Sequence, residues 1–143
     1  MNDQAILLIE KTIMLRRAAM RQTLSRHGLH LGQPEMLEYV RSHPGCSQRE
    51  MAQDAGVTPA SIAASFKRME NAGLIYRRSD MADLRCNRVY ITQRGEETLI
   101  RCMEDIRALN EEMLGSLTSE EIHLLCQCMG KITLCLKDGR EDV

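Results

Sequence analysis

Tryptophan is missing from the chain, phenylalanine occurs once, and three tyrosines bring the aromatic fraction to only 3 %. A core built on clustered rings is therefore excluded, and ten methionines must share the filling of the interior with leucine. No apolar run approaches the ~20 residues that cross a bilayer as a helix, so no membrane partner is expected. The opening residues, MNDQAILLIEK, carry an acid at Asp3 and neither a basic start nor a cleavage site. No signal peptide is expected, and the cytoplasm is the expected compartment. The six cysteines, at 46, 86, 102, 126, 128 and 135, include no CxxC pair. Cys126 and Cys128 fall on different faces of one helix, which disfavours a bridge, so reduced thiols are expected. There is no Ser/His/Asp order, no glycine loop to cradle a phosphate and no paired-acid site, which argues against an enzyme. His27 with His30, and His43 near Cys46, fall short of the about four convergent ligands that zinc takes. Neither a metal nor another cofactor is expected.

What is present suits a folded protein. The 143 residues, 43 % hydrophobic and 27 % charged, fit one domain, or one domain with an oligomerisation element. The formal net charge of -1 conceals an uneven spread: +3 over 1–32, -2 over 33–57, +4 over 58–94 and -6 over 95–143. Salt screens charge beyond ~8 Å at physiological ionic strength, so a polyanion feels local charge and not the total. The basic middle is the place to seek a phosphate-bearing partner.

Periodicity predicts a first helix over 4–26, with Ile6, Ile9, Ile13, Met20 and Leu24 at helical spacing and Leu7, Leu8, Met14 and Leu15 widening the stripe. So broad an apolar surface needs cover on several sides. A second helix follows from Pro34 to Ser42, with Met36, Leu37 and Val40 inward, and His43-Pro44-Gly45 stops it. SQRE, Ser47 to Glu50, is a capping box opening a short helix that runs to Ala55. Gly56 ends that helix, Thr58 caps the next, and Pro59 takes its first position. Two helices in such close succession outline a helix-turn-helix. On the second, Pro59 to Asn71, Ile62, Phe66 and Met69 define a buried face. Ala60, Ala64, Lys67 and Asn71 lie opposite, with Ser61 and Arg68 along the border. Small residues on the outer face let a helix approach a surface closely. Further on, Thr92 caps a long helix to about Gly115, striped by Leu99, Met103, Ile106, Leu109 and Met113. Thr118 with Glu121 then opens a last helix striped by Ile122, Leu125, Met129, Ile132 and Leu136.

Between these helices, RRSDMADLRCNRVYIT (77–92) concentrates Arg77, Arg78, Arg85 and Arg88 between two short apolar segments. It reads as two strands joined by a cationic tip. A helix-turn-helix followed by such a hairpin is a winged helix. The second helix enters the major groove, and the wing reaches along the duplex to the minor groove.

From Leu31 to Gly95 the chain resembles the MarR family of bacterial transcriptional regulators. The resemblance rests on HPGCSQREMA (43–52), VTPASIAASFKRMENAGLI (57–75) and DLRCNRVYITQRG (83–95), above all on Asp83-Leu84-Arg85 followed by an apolar strand and Thr-x-x-Gly. It implies a mainly α fold with a small β-hairpin: a winged helix-turn-helix lobe over 33–92, flanked by dimerisation helices at 1–32 and 93–143. It implies a homodimer on an inverted repeat of double-stranded DNA, probing the minor groove with Arg85 while Asp83 holds that arginine in position. It also implies a small-molecule effector seated between the dimer helices and the DNA-binding lobe. The chain departs from the family at Ala64, where a longer polar or basic residue is common, and at Lys67, where an acid is common. Base contacts are accordingly expected from Ser61, Ser65, Lys67 and Arg68, with Ala60 or Ala64 against a thymine methyl. Gln48 and Thr58 are expected near the backbone, together with Arg77 as the strand arginine facing phosphate.

The expected function is a dimeric repressor released by a ligand. One alternative is a regulator that senses oxidants through Cys86 or Cys46, which fall in the wing and in a turn and are expected to be accessible, whereas Cys102, Cys126, Cys128 and Cys135 read as small hydrophobes. The other is a winged helix used for protein–protein contact.

Overall fold

The computed structural model describes residues 1–83 and 86–138. Its elements, in chain order, are α1 (Asn2–Ser25), α2 (Gln33–Ser42), α3 (Gln48–Asp54), α4 (Pro59–Asn71), β1 (Ile75–Ser79), β2 (Asn87–Ile91), α5 (Gln93–Leu114) and α6 (Ser119–Asp138). The fold is mainly α with one hairpin, and each helix boundary that pattern and caps predict lies within two residues of the observed one. The chain divides into two compact units, one ending at Ile106 and the other beginning at Arg107.

In the first unit, local chemistry sets the helix ends. The Ser47 capping box is closed both ways: Glu50 N–H donates to Ser47 Oγ at 3.1 Å, and Ser47 N–H donates to Glu50 Oε2 at 2.7 Å. Gly56 turns the chain out of α3 at φ +66, a region that side-chain-bearing residues avoid. Thr58 then caps α4, its Oγ1 accepting the Ser61 N–H at 3.3 Å. These caps satisfy amides that a helix start leaves unpaired.

The core of this unit gathers Leu24, Leu37, Val40, Met51, Phe66, Met69, Leu99 and their neighbours. Among the described residues, leucine and methionine supply seven of the fifteen buried hydrophobic ones, fewer than the composition suggested; Cys46 and Cys102 take two of the remaining places. The lone phenylalanine, Phe66, is fully buried. Strands β1 and β2 pair antiparallel, with Arg77 opposite Val89 and Arg78 opposite Arg88. The loop before α3 adds a short third rung. Gly45 N–H donates to Val89 O at 2.9 Å, and Val89 N–H donates to Cys46 O at 2.8 Å. The wing is thereby stitched to the segment that leads into the helix-turn-helix.

Thr92 joins three elements. Its Oγ1 accepts the Gly95 N–H at 2.9 Å, capping α5, and donates to Gly73 O at 2.6 Å, beyond the end of α4. This junction explains Gly95: a Cβ there would stand 2.1 Å from the Leu74 carbonyl oxygen. The Thr-x-x-Gly spacing, seen in sequence as a motif, is a packing requirement.

Only the C-terminal end of α1 joins the core, through Thr23, Leu24 and the half-buried Met20. Ile6, Leu7, Leu8, Ile13, Met14 and Leu15 are exposed. In the second unit, α6 starts at a second capping box, with Thr118 N–H donating to Glu121 at 2.8 Å and Glu121 N–H to Thr118 Oγ1 at 3.2 Å. It also presents an exposed apolar surface, including Leu124, Leu125, Leu134 and Leu136. Cys126, Cys128 and Cys135, expected as packed small hydrophobes, are exposed in the single chain.

Replacing Gly95 with alanine should destabilise the protein by about 3 kcal/mol, the upper end for forcing a methyl into packed surroundings. A urea titration followed by circular dichroism measures it; an unchanged midpoint would contradict the Thr92 junction.

Candidate nucleic-acid interface

The geometry of α4 follows from its anchoring. Ile62, Phe66 and Met69 turn into the core, so the opposite side must face out. Ala60, Ser61, Ala64, Lys67 and Arg68 are all exposed, while Ser65 sits half-buried on the flank. Ser61 Oγ donates to Thr58 O at 2.7 Å, which leaves its lone pairs available as acceptors. Gln48 is half-buried and braces the turn, its Nε2 donating to Pro59 O at 3.1 Å. It holds α3 against the start of α4. Thr58 likewise spends its side chain on the cap.

The hairpin has two unlike faces, because side chains alternate along a strand. Ile75 and Val89 are buried, and Arg77 shares their side. Its guanidinium lies 5.9 Å above the centre of the Phe66 ring, and Nε stands 3.2 Å from Glu70 Oε2 without hydrogen-bond alignment. Arg77 therefore clamps the wing to α4 and does not point outward, contrary to the expectation that it faces phosphate. The outward arginine of the pair is Arg78, which covers the stacked rings of Tyr76 and Tyr90 at 5.5 and 5.9 Å from their centres.

Arg88 shares that outer face and is held by three bonds to two partners. Its Nε and Nη2 donate to Asp80 Oδ2 at 3.2 and 3.0 Å, and Nη1 donates to Gly45 O at 3.2 Å. Asp80 in turn accepts the Ala82 N–H at 2.9 Å. That backbone bond, first, and the Arg88 bond, second, hold the Asp80 carboxyl below its ordinary pKa, while Asp80 pushes Arg88 up. The set ties the base of the wing tip to the loop before α3.

A bare-faced helix beside a latched cationic hairpin is the arrangement to compare with known proteins. Residues 27–85 match the sequence model of the MarR family. Transcriptional regulator HosA of Escherichia coli O127:H6 (strain E2348/69 / EPEC) is 34 % identical over 97 residues, which span 68 % of this chain and 72 % of that protein. The chain belongs to the MarR family. Among solved structures, the MarR family transcription regulator SP03579 superposes with a TM-score of 0.83 at 22 % identity, covering 98 % of this chain and 93 % of that one. The repressor CouR, solved on a 23-mer DNA duplex, superposes at 0.73 with 20 % identity over 88 % of this chain and 89 % of that one. The protein is thus a MarR-family transcriptional regulator with the DNA-binding winged-helix fold of that family.

In this MarR-family chain, Arg85, expected at the wing tip, lies with Leu84 outside the described residues. Asp83 is described and exposed, and its carbonyl accepts the Cys86 N–H at 3.0 Å. Cys86 is half-buried. Cys46, expected from its turn position to be accessible, is instead buried: it is 5 % exposed, and burial, followed by Glu50, pushes its thiol pKa up. Cys102 is fully buried and pushed up to about 11 by desolvation. A thiol so shifted yields little thiolate, so neither is suited to reaction with oxidants. Among the described residues, no group of three or more His, Cys, Asp or Glu could hold a metal ion, and no helix is long and apolar enough to cross a membrane. Sequence reading counts Arg88 among the hairpin cations but gives no hint of its pairing with Asp80, nor of the Tyr76–Tyr90 stack. The missing signal was parity: Ile75 is buried, so Arg77 faces in and Tyr76 and Arg78 face out.

The depressed Asp80 pKa fixes the sign of a pH effect. The latch contributes stability above the ordinary carboxylate range and loses it as pH falls through the depressed folded value. In wild type, the NMR signals of the Ala82 amide and Arg88 Nε–H should hold steady through the ordinary range and shift only at lower pH. In Asp80→Asn they should sit at the acid-limit position already at neutral pH. Movement centred on the ordinary range in wild type would contradict the latch.

Proposed function

We propose that this regulator acts as a homodimeric repressor that binds an inverted repeat of duplex DNA through α4 and the outer face of the wing. The carrying observation is that Ala60, Ser61, Ala64, Lys67 and Arg68 stand exposed on the side of α4 opposite the buried Phe66. Small side chains let the helix seat deeply in a major groove. Lys67 and Arg68 meet phosphate or guanine edges, and the alanine methyls suit thymine. On the wing, Arg78 and Arg88 present charge toward the flanking backbone, with Asp83 near the tip; Arg85, outside the described residues, is assigned to the minor groove from its place in the sequence. Gln48, Thr58 and Arg77 serve from within, as a brace, a cap and a clamp. The likeness to CouR, a repressor captured on DNA, supports this reading.

The exposed apolar surface of α1 supports pairing, as does, separately, that of α6; a second copy related by a two-fold axis would cover them. Two recognition helices then meet half-sites about one helical turn, ~34 Å, apart. A small-molecule effector that favours one arrangement of the dimer would release the operator.

Duplexes recovered by selection from a random pool should bind with an affinity that falls linearly in log–log terms with salt, as counterion release requires. Lys67→Ala should weaken binding and lower that slope by about 1, whereas Arg85→Ala and Arg68→Ala should each cost ~1–3 kcal/mol. Binding indifferent to salt and to these substitutions would favour a protein-contact role instead. Sedimentation at micromolar concentration should give a dimer mass for wild type. Leu8→Lys, on the exposed face of α1, should shift it toward monomer.

A further inference from the structure

The first unit contains a cleft of about 730 Å³ between α2, α3 and the flank of α4, within the ~300–1,000 Å³ range of sites that enclose drug-sized molecules. Its floor is apolar, with Met36, Met51 and Ile62. One wall carries the Tyr39 and His43 rings, stacked at 4.2 Å with an angle of 17° between their planes. Its charged lining is of one sign: Glu35, Glu38 and Asp54 stand around it, and neither lysine nor arginine lines it. Glu38 is already engaged, by Arg41 at 2.6 Å and by Ser42 Oγ at 3.3 Å. Glu35 and Asp54 form no ion pair among the described residues. The Tyr39 phenol registers this environment, its pKa raised by desolvation first and by Asp54 second.

We infer that this cleft takes a small organic cation with an apolar body. An apolar floor, an aromatic wall and two uncompensated carboxylates form the chemistry that recognises such a molecule: hydrophobic burial for the body, ring faces and carboxylates for the charge. An organic anion of the same shape would lose its hydration beside those carboxylates and gain no counter-charge. A bare metal ion lacks the ligands, since no set of three metal-binding side chains exists among the described residues.

The position of the cleft links occupancy to DNA. Ser61, Ile62 and Ser65 of α4 line it, so a bound molecule wedges between α2 and the recognition helix and favours a seating of α4 different from the one that fits a groove. This step rests on the repressor reading above; the binding of the cation does not.

Tetraphenylphosphonium and tetraphenylborate share one shape and differ in the sign of charge, which makes them a decisive pair. In equilibrium dialysis with the full chain, the phosphonium should bind at least about tenfold more tightly than the borate, the floor expected of two solvent-exposed carboxylates ~8 Å from the charge, attracting one ion and repelling the other through a medium of dielectric constant about 80 with salt screening. The double variant Glu35→Gln, Asp54→Asn should lose most of that preference with an unchanged circular dichroism spectrum, both residues being exposed. The phosphonium should also weaken binding to a selected duplex for wild type and not for the double variant. Equal or tighter borate binding, no phosphonium binding, or a preference that survives the double substitution would overturn the cation site. Selective phosphonium binding that leaves DNA affinity unchanged would overturn the coupling. Salt-dependent DNA binding, measured with neither ion present, shows separately whether the repressor reading stands.

Discussion

Phe66 is the chain's only phenylalanine, and its ring lies wholly inside the first unit. Around it the helix-turn-helix and the hairpin become one body. Ile62 and Met69 flank it along α4, while from the hairpin side Arg77 rests its guanidinium over the ring and reaches Glu70. An aromatic face attracts a cation, and the partly buried setting strengthens the attraction. Because this contact fixes which way α4 is turned, it also decides which residues remain outside. The exposed row of small and basic side chains is the complement of the buried row, not an independent feature.

The wing shows how one run of arginines divides its labour. Arg77 is structural. Arg78 is spread over two tyrosine rings, and Arg88 is pinned by Asp80 and by a carbonyl of the preceding loop. A guanidinium restrained in this way loses less freedom when it meets a phosphate than a freely moving one does. The restraint also reaches the helix-turn-helix, because Gly45 accepts from Arg88 while its own amide, beside Cys46, completes the rung with Val89. Wing and recognition helix are thus held in register by hydrogen bonds at one end and by a ring contact at the other.

Much of this was legible in the sequence, and for identifiable reasons. Helix starts could be read because capping is local: SQRE and TSEE close on themselves within four residues. The inward face of α4 could be read because helical spacing is regular. The hairpin could be placed, but its facing could not be assigned without noticing that Ile75 sets the parity, and so Arg77 was expected outside when it lies within. Cys46 was misjudged for a similar reason. A turn position suggests exposure, yet this turn bridges to Val89 of the hairpin and is buried there. The Asp80–Arg88–Gly45 latch joins residues up to 43 positions apart, and such a contact leaves no periodic trace. The cleft was invisible for the same reason: its acids come from two helices that only folding brings together.

The bareness of α4 has a consequence for how such a protein changes over time. Ala60 and Ala64 point into solvent, and nothing in the buried row of Ile62, Phe66 and Met69 depends on their size. A longer side chain at either position would extend outward and leave the interior as it is. If α4 reads DNA as proposed above, a single nucleotide change at either codon would redirect which sequence is preferred while the scaffold stays whole, so the two methyl-bearing sites are where descendants of this chain can diverge at the least structural risk.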